Sequence, residues 1–459
     1  MATTAAAAGL MRGRLRTLTL GSVALVSLAA FEAIAVATAM PTVAAALDGL
    51  TAYALAFGLP LATSVVGMVL AGVWSDVRGP GAAMRVGVAG FVLGLVLAGL
   101  APAMPMLAMG RAVQGLGSGL FSVALYVVVA RVVPPALRPR MFAAFAAAWV
   151  LPAVVGPPLA GLLVETVGWR SVFLLAAVLA LPAALLVEPA LRGLGTPIED
   201  GTVDEAGTGI GHRRTRRVLW AVGAAAGAAG LHQAGQLDGV PALLLGVVAV
   251  AAVAVSGPHL LPAGTLLARA GLPAVIAVRG VLSAAFFGAE AFLPLLLSRE
   301  RGLSPTVSGL VLTVAAVTWS GGSWFQGRDR APSRTALLRA GTGLVAFGVL
   351  AAGATVVPGV PVAVAVIGWA AGGLGMGLAY PTLSVLTLEL SAPSEQGTNS
   401  SALQIADALF AAVVLALTGA LFAALVDAGT VAYLAGTAVA GGLALVAVLI
   451  AGRARAATK

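Results

Sequence analysis

The chain has no cysteine, one lysine (Lys459, its last residue) and only 9% charged residues among 459. Without cysteine there are no disulfides, no thiolate metal sites and no ligands for an iron–sulfur cluster. The three histidines, His212, His232 and His259, all fall in or beside loops between apolar runs, so haem ligation at depth is not expected and neither a metal nor a cofactor is assigned. A nucleotide-binding P-loop needs a lysine within its glycine-rich turn, and the only lysine is elsewhere. An enzyme would need a nucleophile–base pair or metal ligands, and this inventory supplies almost none; the chain is expected not to be an enzyme. So few charges cannot cover a water-facing surface, which excludes the two or three soluble domains that this length would otherwise suggest.

What fills the chain is apolar: 60% of residues are hydrophobic. Runs of about 18 to 25 apolar residues recur throughout, each long enough to cross roughly 30 Å of hydrocarbon as a helix. A β-barrel would show shorter, alternating segments. Arg12, Arg14 and Arg16 precede an apolar stretch that is too long for a signal peptide and contains Glu32, so it is taken as a retained first span. Fourteen spans are predicted, at 18–41, 51–73, 86–103, 106–130, 141–164, 171–187, 218–234, 240–257, 272–298, 305–325, 336–356, 362–388, 402–425 and 430–451.

The net charge of +9 lies at helix ends and not on one patch, which argues for a lipid bilayer as partner and against nucleic acid. With the N-terminus inside, the cytoplasmic side collects Arg12 to Arg16, Arg78, Arg85, Arg131, Arg138, Arg140, Arg192, the run Arg213 to Arg217, Arg269, Arg328 to Arg339, Arg453, Arg455 and Lys459. The outside receives only Arg170, Arg299 and Arg301. This positive-inside bias supports an even count, a multi-pass protein of the cell membrane and two cytoplasmic ends.

A repeat underlies the spans. Gly110 to Leu120 matches Gly368 to Leu378 at seven of eleven positions, 258 residues apart, and Gly72-Val-Trp-Ser-Asp-Val-Arg78 aligns with Gly322 to Arg328. The offset of 258 also carries Glu32 onto Glu290. Counting back from the span ends places both carboxylates roughly 12–14 Å deep, near mid-bilayer. The fold predicted is an all-α membrane protein of two six-helix bundles related as parallel repeats, with two extra helices between them. The expected division is a tail at 1–17, a bundle at 18–188, a linker at 189–217, an inserted pair at 218–271, a bundle at 272–452 and a tail at 453–459.

A charged side chain at mid-bilayer costs about 2.5–3.5 kcal/mol, which makes each such residue a functional candidate. Glu32 and Glu290 are candidate proton carriers. Arg111, with Gln114, Ser118 and Ser122 at i+3, i+7 and i+11, forms a polar stripe expected to face a water-filled cavity and to tune Glu32. Asp407, with Ser400 and Gln404 on its face, is a further proton or cation candidate.

These residues resemble the major facilitator superfamily, and within it the fourteen-span drug:proton antiporters. Gly72 to Gly79 resembles the signature between spans two and three, with Val77 and Pro80 where basic residues are usual. Arg111-Ala-Val-Gln114-Gly115-Leu-Gly117 resembles that of span four, and Gly156-Pro157-Pro158-Leu-Ala-Gly161 that of span five in antiporters. The resemblance implies a cytoplasmic gate at Gly72, Asp76, Arg78 and Gly79, with Asp76 meeting the helix that starts near Thr398. It implies a substrate cavity near Gln114, Ser118, Trp149, Phe286 and Gln404, and a bend in span five at Pro157-Pro158. The activity implied is proton-coupled efflux of small amphipathic or cationic compounds by a monomer using alternating access. Uptake of a small solute on the same fold, or a non-transporting sensor, are the alternatives.

Overall fold

A computed structural model of the chain describes residues 10–11, 13–134, 137–192, 209–326, 332–392 and 395–455. Among them stand fifteen α-helices: α1 (Gly13–Ala46), α2 (Leu55–Arg78), α3 (Pro80–Gly99), α4 (Met104–Val132), α5 (Arg138–Ala147), α6 (Val150–Thr166), α7 (Arg170–Leu191), α8 (Gly209–Ala234), α9 (Gly239–Leu260), α10 (Leu272–Arg301), α11 (Pro305–Gln326), α12 (Arg334–Ala354), α13 (Val362–Glu389), α14 (Gln396–Leu425) and α15 (Thr430–Ala451). The pair α5 and α6 makes one crossing in two pieces, so fifteen helices give fourteen spans. Eleven helices are individually long and apolar enough to cross a bilayer, and α6 is a shorter apolar one. The remaining two crossings, α8 and α11, are diluted by arginines at the start of α8 and by glycine, serine and threonine along α11. Short connections alternate the helices between a near face, where α1 begins, and a far face, where it ends.

The internal repeat is a repeat of backbone contacts. A Cβ at Gly117 would strike the Phe91 amide and the Gly87 carbonyl, so α3 and α4 touch main chain to main chain. The equivalent approach recurs between α12 and α13, where Gly341 and Gly375 each face the other's carbonyl. Likewise Gly115 sits on Pro60 and Thr63 of α2, while Gly373 sits on Ala315 and Thr318 of α11. Lipid offers no hydrophobic drive between helices, so close packing at small residues has to supply the association. The inserted α8 packs on α9 and also against α2 and α14, one helix from each half.

Span five also breaks at a place other than its proline pair. Pro157 and Pro158 lie inside the continuous α6, and the break falls earlier, at Ala148 and Trp149. Pro152 explains it, because a proline lacks the N–H that would bond the carbonyl four residues back and its ring crowds that carbonyl. The carbonyl so freed, that of Ala148, accepts the Ser27 hydroxyl of α1 at 2.9 Å. Pro158 frees the Val154 carbonyl in the same way, and Thr313 of α11 donates to it at 3.3 Å.

Candidate functional site

Two arginines stand inside spans, one in each half, and each holds a carboxylate. In the first half Arg111 of α4 forms an ion pair with Glu32 of α1 through Nη1. The same nitrogen donates to Gln114 Oε1 at 2.5 Å, and Nε donates to the Ala56 carbonyl of α2 at 2.8 Å. That carbonyl is available because Pro60, four residues on, has no N–H to offer it. Three helices therefore meet on one guanidinium. The side chains are only 5% and 7% exposed, so the stripe expected to face a water-filled cavity is instead shut away. Its other members, Ser118 and Ser122, are half-buried, and Ser118 bonds back to the Gly115 carbonyl at 3.0 Å.

In the second half Arg279 of α10 grips Asp407 of α14. Its Nε lies 2.8 Å from both carboxylate oxygens and Nη2 lies 2.7 Å from Oδ2. Tyr380 of α13 donates its hydroxyl to Oδ1 at 3.1 Å and lays its ring 3.5 Å from the guanidinium carbon, a cation–π contact. Nη1 reaches the Tyr380 carbonyl at 3.2 Å and the Ser384 hydroxyl at 3.5 Å, and Ser384 is exposed. This pair is less buried, at 13% and 21% exposure.

The two halves are joined in the far half of the molecule. Tyr53 donates to the Ala291 carbonyl at 2.8 Å and rests on the Phe292 ring, with centroids 5.6 Å apart. Gly161 meets Thr306, Pro157 packs on Gly309, and the Thr306 amide donates to Glu165 at 3.1 Å. The segment read as an antiporter signature is thus the face of α6 that seats α11.

The remaining predicted residues scatter. Glu290 lies half-buried on α10 and has no ion-pair or hydrogen-bond partner among the described residues. Arg111 has no counterpart in the second repeat, because Trp369 occupies its position. Phe286 is corrected from the cavity to the packed interior: it is 1% exposed, stacked on Trp369 at 4.7 Å and edge-on to Trp319. Trp149 is exposed at the α5–α6 break without a ring partner among the described residues, and Gln404 is half-buried one turn before Asp407. At the expected gate, Gly72 has open space where a Cβ would be, Arg78 ends α2 and is exposed, and Gly79 makes the turn into α3 with φ 77°. The Asp76 side chain lies outside the described residues, as do Arg328 and Arg330. Arg279 and Tyr380 were not anticipated. The signal was present, since Arg279 is the one arginine besides Arg111 that falls at neither end of a span.

A family model described as the Major Facilitator Superfamily matches residues 21–414. An uncharacterized MFS-type transporter of Mycobacterium tuberculosis is 34% identical over 168 residues, covering 36% of this chain and 24% of that protein. The chain thus matches about a quarter of the length of such relatives. A probable multidrug-efflux transporter of the same organism is 27% identical over 399 residues, 80% of this chain and 79% of that one. Among solved structures, a peptide transporter POT in complex with sulfate superposes with a TM-score of 0.67 at 18% identity, covering 98% and 97% of the two chains. A D-xylose-proton symporter does so with a TM-score of 0.65 at 15% identity, covering 96% and 97%. The expectation of an efflux antiporter in multidrug resistance is corrected: POT-type transporters and a symporter dominate the solved structures that match, with a human organic anion transporter among them.

Proposed function

Because the chain belongs to the Major Facilitator Superfamily, a family of transporters and not of enzymes, we propose that it is a proton-coupled secondary transporter that carries a small organic solute inward together with protons. The observation that carries this reading is the Arg279–Asp407 pair, a cation and an acid locked together at a partly exposed position within the spans. Protonating Asp407 cancels one side of the pair and frees the guanidinium for an anionic group of the solute, to which its planar fork is matched. Proton and solute then favour the same loaded state, which is the logic of symport. The solute class that fits is a small carboxylate-bearing compound; a POT family transporter of this fold is solved with 5-aminolevulinic acid.

The reading places the near face in the cytoplasm of a cell membrane, following the arginine bias. Glu290, without a partner, is the second proton site. One charge moved through about 150 mV supplies roughly 3.4 kcal/mol, enough for a concentration ratio of a few hundred. Proteoliposomes given an inward proton gradient and a panel of amino acids, short peptides and sugars test it. Uphill accumulation of a solute with inward proton current is expected, and Arg279→Gln should abolish both. Solute flux that drives protons the opposite way, or that moves none, overturns the reading.

A further inference from the structure

Helix α8 of the inserted pair covers the line where α2 of the first half meets α14 of the second. The three helices share an alanine-lined contact: Ala62 of α2, Ala228 of α8, and Ala412 and Ala416 of α14 are at most 5% exposed. Small residues let helices in lipid approach closely. One turn further along the same face of α8 the pattern is broken by His232, in the last turn of the helix and 1% exposed. Its ring occupies a notch left by Gly419 of α14, where a Cβ would strike both the ring at Nδ1 and the Ala54 side chain beside the start of α2. Neither ring nitrogen has a hydrogen-bond partner among the described residues. An ionisable side chain within a span is costly and marks a functional position. Packing gives no reason for this one, since a leucine would fill an apolar notch without burying two polar atoms.

The notch lies at the joint between the halves. Ala54 follows Tyr53, whose hydroxyl holds the Ala291 carbonyl of α10, and Gly58 packs on Leu415 and Ala412 of α14. When the far ends of α2 and α14 separate, Ala54 and Gly419 move apart and water reaches the ring. The charged groups of the surrounding elements stand elsewhere. Asp48 before α2, Asp238 before α9 and Asp427 after α14 are exposed. Asp407 of α14 is roughly 18 Å along the helix from Gly419 and is held by Arg279. Asp76 and Arg78 of α2, His259 of α9 and the arginines of α8 belong to the near ends of their helices. An imidazolium carries two N–H donors and a charge. The closed notch offers neither an acceptor nor a counter-charge, so the neutral ring is the form it accommodates.

We infer that the inserted pair is a proton-operated clamp on the far seam, with His232 as its proton site: the seam closes over the neutral ring, and a proton taken up from the far-face solution holds it open. Imidazole in water takes up a proton below about pH 6.5, so acid favours opening below that value and the effect fades above it. The clamp requires no particular solute and does not depend on the direction of transport.

The test uses the purified full chain in lipid nanodiscs. Because the chain has no cysteine, spin labels on Thr51→Cys and Ala424→Cys, both exposed, report the separation of α2 from α14 at the far face without other labelling. As the pH falls from about 8 to about 5, the ratio of long to short distances should rise by about thirtyfold, the limit for one proton bound only in the open form. His232→Leu should remove this rise and keep the short distance throughout, with a melting temperature at the alkaline end no lower than that of the parent, which shows that the variant folds. Gly419→Ala, which fills the notch, should give the long distance already at the alkaline end. Asp407→Asn should leave the histidine-dependent rise in place, which separates it from the proton step at the inner pair. A distance that does not respond to pH, or the same response in His232→Leu as in the parent, overturns the inference.

Discussion

Each half of the molecule holds one arginine against one carboxylate, and the two arrangements differ in what surrounds them. Arg111 spends its donors on a carboxylate, an amide and a main-chain carbonyl drawn from three helices, in a site almost without solvent. Arg279 is held by the same kind of partner but lies beneath a tyrosine ring and beside an exposed serine. Two charges removed from water are costly to separate, so the first pair acts as a fixed joint. The second is less buried, and the transport chemistry proposed above is placed on it.

The comparison breaks most visibly if Arg111→Ala is tolerated. Removing it leaves Glu32 buried and the Ala56 carbonyl bare, and a cost of about 3–5 kcal/mol is expected, read as lost thermal stability in detergent. Arg279→Ala should cost less, about 1–3 kcal/mol, while abolishing solute accumulation in proteoliposomes; equal stability losses at the two sites would erase the distinction. Asp407→Asn should keep solute exchange across the membrane and lose proton-driven accumulation, which a counterflow assay set against a gradient assay separates. Thr313→Val, which orphans the Val154 carbonyl at the seam, should cost about 1 kcal/mol, read as a lowered melting temperature in detergent. The smallest effect belongs to Arg85→Ala, whose partner Glu188 is an exposed surface pair; a change in melting free energy beyond about 0.5 kcal/mol would contradict that.

Much of the architecture was readable before any coordinates, because in a bilayer length, apolarity and arginine placement constrain each span. The repeat was readable too, since its glycines mark where backbones touch. The pairing of Arg111 with Glu32 was expected, as a fixed charge that tunes an acid in a neighbouring span. The second pair was hidden because it joins α10 to α14, 128 residues apart, by a contact that has no echo at the repeat offset. Following the repeat from Arg111 leads to Trp369, which replaces a cation by a stacked indole. Phe286 was misplaced for a related reason: an aromatic residue near mid-span looks the same in sequence whether it faces a cavity or a neighbouring ring. In span five the conspicuous proline pair was singled out and Pro152 was not, although the break between α5 and α6 falls four residues before Pro152.

The bond between Thr313 and the Val154 carbonyl has a meaning beyond holding α6 to α11. The proline that exposes this carbonyl ensures that no amide of its own helix can take the hydroxyl's place when the seam parts. In hydrocarbon an unmet carbonyl is severely penalised, so the seam separates smoothly only as fast as water arrives to replace the hydroxyl. Wetting and opening become a single event at this point, and a dry seam is by that fact a closed one.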